Sequence, residues 1–429
     1  MRIGLATDEI TYDEILLYSA SESLDVKMDF IDLKNLFMKS SENIYEKIVK
    51  EHDLVMMVNR AISKNLRERS TEVFERAGLK VLNPYMVEYI SNDKFRTKEA
   101  FRKFNLETVR YILLPDFPFS RRREDGRLRF HREKAKAIAK TIAREIGFPA
   151  VIKPIGGSRG KSICLIEGEN DFLEKCFRYY KLYVNDWSER KIPEALHQCV
   201  SNPIGVFAEE FIPHPLDLRV IVSMRRGESP QYIGCLGRVG RKEEEIAKNT
   251  ALGSIPIGID LPEEYRRIAV DCVKAIVNYA KSFGYLVDYC LVGVDIIPRC
   301  DSFLERRRVY EAARKISPFK DKYIEQVKTQ LNKAIRKLAS KHGRNLDAYT
   351  KDKDFKDVDN SLIEVFRKYR EMEEYKNLVK ASEEYLNVSK PEPNEVNTRV
   401  DYGINTRNAA CIDIPYHIVH VMSSISEHI

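Results

Sequence analysis

Glu395 and Asn397 stand one residue apart in the stretch "PEPNEVNTR", residues 391–399. In an extended strand, residues i and i+2 point to one face, so a carboxylate and a carboxamide would stand side by side while Val396 faces the other way. Upstream, Asp295 interrupts the apolar run "LVGVDIIP". An acid in such company faces a site or a partner cation. If the two strands run side by side, three hard oxygen donors converge. That set suits magnesium, which prefers oxygen, keeps several waters and bridges phosphates. Lys153 ends the apolar strand "AVIKP", three residues before "GGSRGKS". Its ammonium would reach an anion held by that glycine-rich turn.

The turn is not a Walker A loop. That motif needs a glycine, four intervening residues and then Gly-Lys-Ser, and Ile155 occupies the place of the first glycine. "ICLIEG" follows, β-branched and apolar, where the motif requires a helix. The segment therefore reads as a hairpin. Its glycines let backbone N–H groups curl over an anion, and Ser158, Arg159 and Lys161 add donors and charge.

The elements that must position these groups are legible in outline. "RIGLA", "VKMDFIDL", "DLVMMVN" and "LKVLNP" read as buried strands with helical patterns between them. "NLRERSTEVFERAG" is one such helix, stopped by Gly78. Strands alternating with helices predict a parallel sheet covered on both faces, running to about residue 90. No G-x-G-x-x-G follows the first strand, which argues against a dinucleotide site there. "NDKFRTKEAFRKFNLETVRYILLP" reads as a helix and a strand, and "DFPFSRRREDGRLRF" as a basic surface loop. "GVFAEEFIPHPLDLRVIVSM" gives two strands around a Pro-rich loop, the second holding Asp217 and Arg219. "YIGCLGRVG", "KNTALGS" and the helix "EEYRRIAVDCVKAIVNYAKSFG" follow.

Residues 301–390 differ. They hold 22 basic and 16 acidic residues, and 305–346 holds 13 against 4, so this segment carries most of the chain's net charge of +7. Ile324, Val327, Leu331, Ile335 and Leu338 recur at helical spacing up to Gly343, as do Leu362, Phe366, Tyr369 and Met372. The pattern predicts an insertion of three helices, with "DKDFKDVDN" as an acidic linker. Their apolar stripes should pack on each other or on the body. The basic face is a solvated surface or meets a polyanion or protein partner.

The 429 residues, 43% hydrophobic and 32% charged, are enough for two to four structural units. No run of about eighteen apolar residues occurs, so no membrane span is expected. The N-terminus lacks the basic-then-apolar pattern of a signal peptide. Eight cysteines are scattered singly, which predicts reduced thiols in a cytoplasm. His417 and His420 lie i, i+3 on an expected helix but lack an evident third ligand, so they are read as no metal pair.

The order of these stretches resembles the ATP-grasp superfamily, most of all its carboxylate–amine ligases, among them ribosomal-protein glutamate ligases, glutathione synthetases and carrier-protein ligases of lysine biosynthesis. The matching stretches are "NDKFRTKEAFRKFNLET", "GFPAVIKPIGGSRGKSI", "FAEEFIPHPLDLRV", "KNTALGS", "VGVDIIP" and "NEVNTR". The resemblance implies an α/β chain: a leading α/β domain over 1–90, an N-lobe over 91–208, a C-lobe over 209–300 and 391–429, and the 301–390 insertion. It implies ATP as substrate and one or two Mg²⁺, with Mn²⁺ as a substitute. Lys94 and Lys153 would contact the α- and β-phosphates, under a hairpin comprising Gly156, Gly157, Ser158, Arg159, Gly160 and Lys161. Glu210 and the Phe211–Ile212 backbone would read the adenine edge with Glu209 nearby, and Asp217 would take the ribose hydroxyls. Asp295, Glu395 and Asn397 would bind the metal. Arg219 and Asn249 would touch the transferred phosphoryl group or the acyl phosphate, and Arg399 would face the acceptor carboxylate. The partners implied are a small-molecule or peptide carboxylate and amine, and a homodimer. The insertion departs from the family pattern. "EVNTR" also resembles the ending of biotin-carboxylase-like relatives, so a bicarbonate-activating or other phosphoryl-transferring enzyme is the second reading. An ATP-binding regulatory or nucleic-acid-binding protein acting through the insertion is the third.

Overall fold

The computed structural model describes residues 2–36, 52, 54–114, 118–121, 128–154, 163–185 and 206–426. The glycine-rich turn around Gly157, Ser158, Arg159 and Gly160 lies outside them. The chain is mixed α/β. Strands β1 (Arg2–Thr7), β2 (Lys27–Asp32), β3 (Met56–Asn59) and β4 (Lys80–Leu82) form a parallel sheet in the order β2-β1-β3-β4. Ile3, Leu5 and Met56 are fully buried there, as strands covered on both faces require. Helix Lys64–Arg76 is capped by Ser63, whose side chain accepts from the Leu66 amide, and Gly78 follows it at φ +91°.

A second, antiparallel sheet contains β5 (Tyr111–Leu114). The expected basic loop after it is in part a small hairpin, β6 (Phe119–Arg121) with β7 (Leu128–Phe130). Strands β8 (Ala150–Pro154), β9 (Cys164–Ile166) and β10 (Val206–Glu210) complete the second sheet in the order β5-β10-β8-β9. Ala135, Ala139 and Ile142 of helix Arg132–Glu145 and Phe172 of helix Glu169–Asn185 pack beneath it as a separate core. The third sheet is antiparallel and has five strands: β11 (Leu216–Met224), β12 (Gln231–Val239), β13 (Ile255–Gly258), β14 (Cys290–Arg299) and β15 (Lys390–Asn397), in the order β13-β12-β11-β14-β15. Helix Glu263–Lys281 packs on it. Residues 303–387 leave this sheet and return to it as the neighbour of β14.

That excursion holds five helices rather than the expected three: Phe303–Phe319, Glu325–His342, Leu346–Lys351, Lys353–Glu371 and Glu373–Asn387. The supposed acidic linker is the first half of the fourth. Asp352 caps it by accepting from the Phe355 amide, and Asp354 complements the helix dipole. Phe355, Leu362 and Phe366 then supply a buried face at helical spacing. The acidic composition masked a well-capped amphipathic start.

Buried tyrosines dock these helices on the body. Tyr310 donates to the His214 carbonyl (2.8 Å), Tyr369 to Pro256 (3.1 Å), Tyr385 to Pro298 (2.9 Å) and Tyr375 to Ala409 (3.2 Å). The apolar stripes pack against the body, as the helical spacing predicts. Among the described residues no helix is long and apolar enough to cross a membrane.

Candidate active site

A cavity of about 680 Å³ opens between the three sheets and the helical insertion. Antiparallel pairing of β14 with β15 sets Asp295 opposite Glu395 and Gly293 opposite Asn397. Val396 turns into the core, as strand alternation dictates. Asn397 Nδ2 lies 3.2 Å from Asp295 Oδ2 and 3.4 Å from Glu395 Oε1. Three residues separated by a hundred positions of sequence thus share one face.

Cations surround this group. On neighbouring β11, Arg219 forks onto Asp295 with two bonds of 2.8 Å. Gly293 makes room for it, since a Cβ there would lie 3.2 Å from the Arg219 methylenes. Arg238 on β12 reaches Asp295 Oδ2 at 3.3 Å, and Lys94 Nζ lies 3.2 Å from Glu395 Oε2. Burial opposes the charge on Glu395, but Lys94, Lys64, Lys153 and Arg219 outweigh it and hold its pKa well below the usual carboxylate range. Burial, with Lys94 close by, pushes the Lys64 ammonium down to about 8.

A second cluster lies where β8 meets β10. Lys153 pairs with Glu209, and its Nζ donates to Asn394 Oδ1 at 3.4 Å. Lys98 approaches Glu209 from the other side at 3.5 Å and donates to Thr108 Oγ1 (2.7 Å). Thr108 in turn donates to the Pro393 carbonyl (2.6 Å), which ties this cluster to β15. Lys98 is fully buried, and burial lowers its pKa to about 8.

Lys94, Lys153, Glu209, Glu210, Phe211, Ile212, Asp217, Arg219, Asn249, Asp295, Glu395, Asn397 and Arg399 all line the one cavity. Three of them hold partners that bear on the expected roles. Glu210 is clamped by Arg299 (2.8 and 3.0 Å) and Arg110 (3.0 Å), and the hydrogen bonds from Arg299 lead in lowering its pKa to about 2. Both of its oxygens accept from arginines, and the Phe211 amide beside it donates to the Pro149 carbonyl (3.1 Å). Asp217 lies 2.8 Å from His214 Nε2 and accepts from the Lys248 amide (3.0 Å). Arg399 turns toward the leading sheet, donating to Glu14 Oε1 (3.2 Å) and the Arg60 carbonyl (3.1 Å).

Sequence reading missed Lys64, Lys98, Arg238 and the leading-domain group Asp13, Glu14 and Arg60. Arg60 pairs with Asp13 (2.8 Å) and Glu14 (3.3 Å) and donates to the Val400 carbonyl (3.0 Å). Burial, with Asp401 nearby, raises Asp13 to about 7 despite Arg60. For Lys98 a signal existed: it follows Lys94 by four residues and so shares its helix face.

The donor set fits a hard cation. Two carboxylates and a carboxamide meet, without thiolate or imidazole among them. Among the described residues no three His, Cys, Asp or Glu side chains gather as a ligand cluster, so the third donor would be the Asn397 carboxamide. Half a turn of that amide presents its oxygen instead of its nitrogen.

No protein-family model matches the chain. It is 23% identical over 247 residues to the alpha-aminoadipate–LysW ligase LysX of Saccharolobus solfataricus, a match covering 56% of this chain and 74% of that protein. It is 25% identical over 221 residues to the alpha-aminoadipate–LysW ligase LysX of Sulfolobus acidocaldarius, covering 51% of this chain and 64% of the relative, so it spans just under two thirds of the latter's length. Among solved structures, a RimK domain ATP-grasp protein from Sphaerobacter thermophilus aligns at 14% identity and a TM-score of 0.43, over 70% of this chain and 88% of that one.

Proposed function

We infer that this chain is an ATP-dependent carboxylate–amine ligase that forms an amide bond. The observation that carries the reading is the convergence of Asp295, Glu395 and Asn397 with Lys94, Lys153 and Arg219 in one cavity. The sequence similarity to two alpha-aminoadipate–LysW ligases supports it.

A carboxylate is a poor electrophile toward an amine. The donor carboxylate oxygen attacks the γ-phosphorus of ATP, the bond to the β-phosphate oxygen breaks, and ADP leaves. The amine nitrogen then attacks the carbonyl carbon of the acyl phosphate. Inorganic phosphate departs, and the amine's protons pass to solvent. The protein's part is to position and to stabilise charge. Lys94 and Lys153 bind the phosphates. The backbone at Phe211 and Ile212 meets the adenine edge, and Asp217 the ribose. Arg219 and Asn249 hold the transferred phosphoryl group. A magnesium ion held by Asp295, Glu395 and Asn397 supplies charge neutralisation on the phosphates when bound. All seven described cysteines are free and six are buried, which supports a reducing, cytoplasmic setting.

ADP release should require Mg·ATP together with both a carboxylate and an amine. A screen of amino acids, small peptides and cofactor-like acids for phosphate release checks this. ADP release that depends on bicarbonate and needs no amine would overturn the reading.

A further inference from the structure

One wall of the cavity is not explained by phosphate or metal binding. Helix Glu325–His342 of the insertion contributes Glu325, Lys328 and Asn332 to it. The insertion is tied to segments that line the same cavity. Arg407 donates to Tyr12 Oη (2.8 Å) and lies 3.3 Å from Asp359, which also binds the Tyr12 hydroxyl. Arg344 pairs with Asp32 and donates to the Asp8 carbonyl (3.2 Å).

The Lys328 side chain is 13% exposed, and among the described residues its ion-pair partner is Glu325, at 3.4 Å. The same carboxylate oxygen is held by Lys320 at 2.9 Å. Lys320 also lies 4.0 Å from Asp321, whose two oxygens accept from Arg241, so three cations meet two carboxylates here and this wall carries surplus positive charge. Burial lowers the pKa of Lys328, and Glu325 and Asp401 act against that. Asp401 lines the cavity and is exposed, and its carboxylate has no hydrogen bond or ion pair among the described residues. Arg399, the cation expected for an acceptor carboxylate, is engaged by Glu14.

Resting on the ligase reading above, we propose that the insertion builds the specificity end of the cleft, where Lys328 binds an anionic group of the amine substrate and Asp401 holds its ammonium. An amine with an anionic tail, carboxylate or phosphate, satisfies both charges. A neutral-tailed amine leaves Lys328 in surplus at a largely buried wall, which is costly.

The test measures ADP release with Mg·ATP and a fixed mixture of N-acetyl amino acids as carboxylate donors. Glycine, glutamate and O-phosphoethanolamine serve as anionic amine probes, and glycinamide and ethanolamine as neutral ones. The two anion types separate carboxylate from phosphate recognition. Anionic probes should accelerate ADP release in the wild type, and neutral ones should not. Lys328→Met should raise the KM of the active amine at least about tenfold, with kcat and the KM for ATP within about twofold. Lys328→Arg should restore most of the loss. An unchanged amine KM in Lys328→Met, or neutral probes that work as well as anionic ones, would overturn the proposal and leave the ligase reading standing. If no amine accelerates ADP release by the wild type, the ligase reading fails and the proposal with it.

Discussion

Glu395→Gln is expected to lower Mg·ATP-dependent ADP formation by about a thousandfold or more, with the protein still folded. The substitution keeps the shape of the side chain and removes its charge. Glu395 is the carboxylate that meets Lys94 at 3.2 Å and faces Asp295 across the β14–β15 pair. Without it, a divalent cation loses one of two charged donors, and Lys94 loses the anion that holds it beside the phosphate site. Loss of charge stabilisation worth several kcal/mol in the transition state corresponds to about three or more powers of ten in rate. Because half-buried Lys64 and buried Lys94 lose a counter-charge, a small fall in stability should accompany the change. Lys153→Ala should act differently. Lys153 reaches Glu209 and Asn394 at the end of β8, so its loss should raise the KM for ATP as well as lower kcat. Steady-state kinetics with circular dichroism as a fold control checks both. Near-normal turnover by a folded Glu395→Gln protein would remove this side chain from the reaction.

Arg67→Met should cost about 3–5 kcal/mol of folding stability, the range for breaking a buried ion pair by removing one partner. Arg67 and Glu88 are 2% and 1% exposed. Arg67 Nε reaches both Glu88 oxygens, at 3.0 and 2.9 Å. Its Nη1 donates to the Ala61 carbonyl (2.8 Å), and Nη2 to Asn92 (3.2 Å) and Thr398 (3.1 Å). Thr398 donates to Glu88 at 2.7 Å. This network joins helix Lys64–Arg76, helix Tyr85–Ser91 and the residue just after β15, so it also fixes the strand that carries Glu395 and Asn397. Removing Arg67 leaves the Glu88 charge buried without its partner. Equilibrium urea denaturation measures the loss. The double variant Arg67→Met/Glu88→Gln should recover part of it, because the stranded carboxylate is then gone. A single-variant loss below about 1 kcal/mol would mean that water reaches Glu88 and solvates it.

The parts of this fold that could be read in the sequence are those written as simple periods. The leading sheet shows as apolar runs because its strands are buried on both faces. Glu395 and Asn397 share a face because strand alternation requires it, and Val396 confirms the alternation by turning inward. Asp295 joins them only if its strand runs beside theirs, a topological step that no local pattern dictates. Long-range charge pairing was not legible. Lys98, Arg67 and Arg60 stand in charged helical or loop sequence and look like surface residues, yet each is buried against an acid far along the chain. Lys328 is one basic residue among many in its segment, and only the docking of its helix turns it toward the cavity. The start of the insertion's fourth helix reads as a linker in the sequence because acids at a helix start resemble one unless Asp352 is recognised as a cap.

Asp295, Glu395 and Asn397 should hold a divalent cation against the phosphates of ATP. A crystal structure with Mn²⁺ and a non-hydrolysable ATP analogue tests it through the anomalous signal of manganese. A peak is expected about 2.1–2.2 Å from oxygens of Asp295 and Glu395 and from bound phosphate oxygens, with the Asn397 carboxamide turned to present its oxygen. Nucleotide bound elsewhere, or manganese absent from this face while Arg219 still forks onto Asp295, would contradict it.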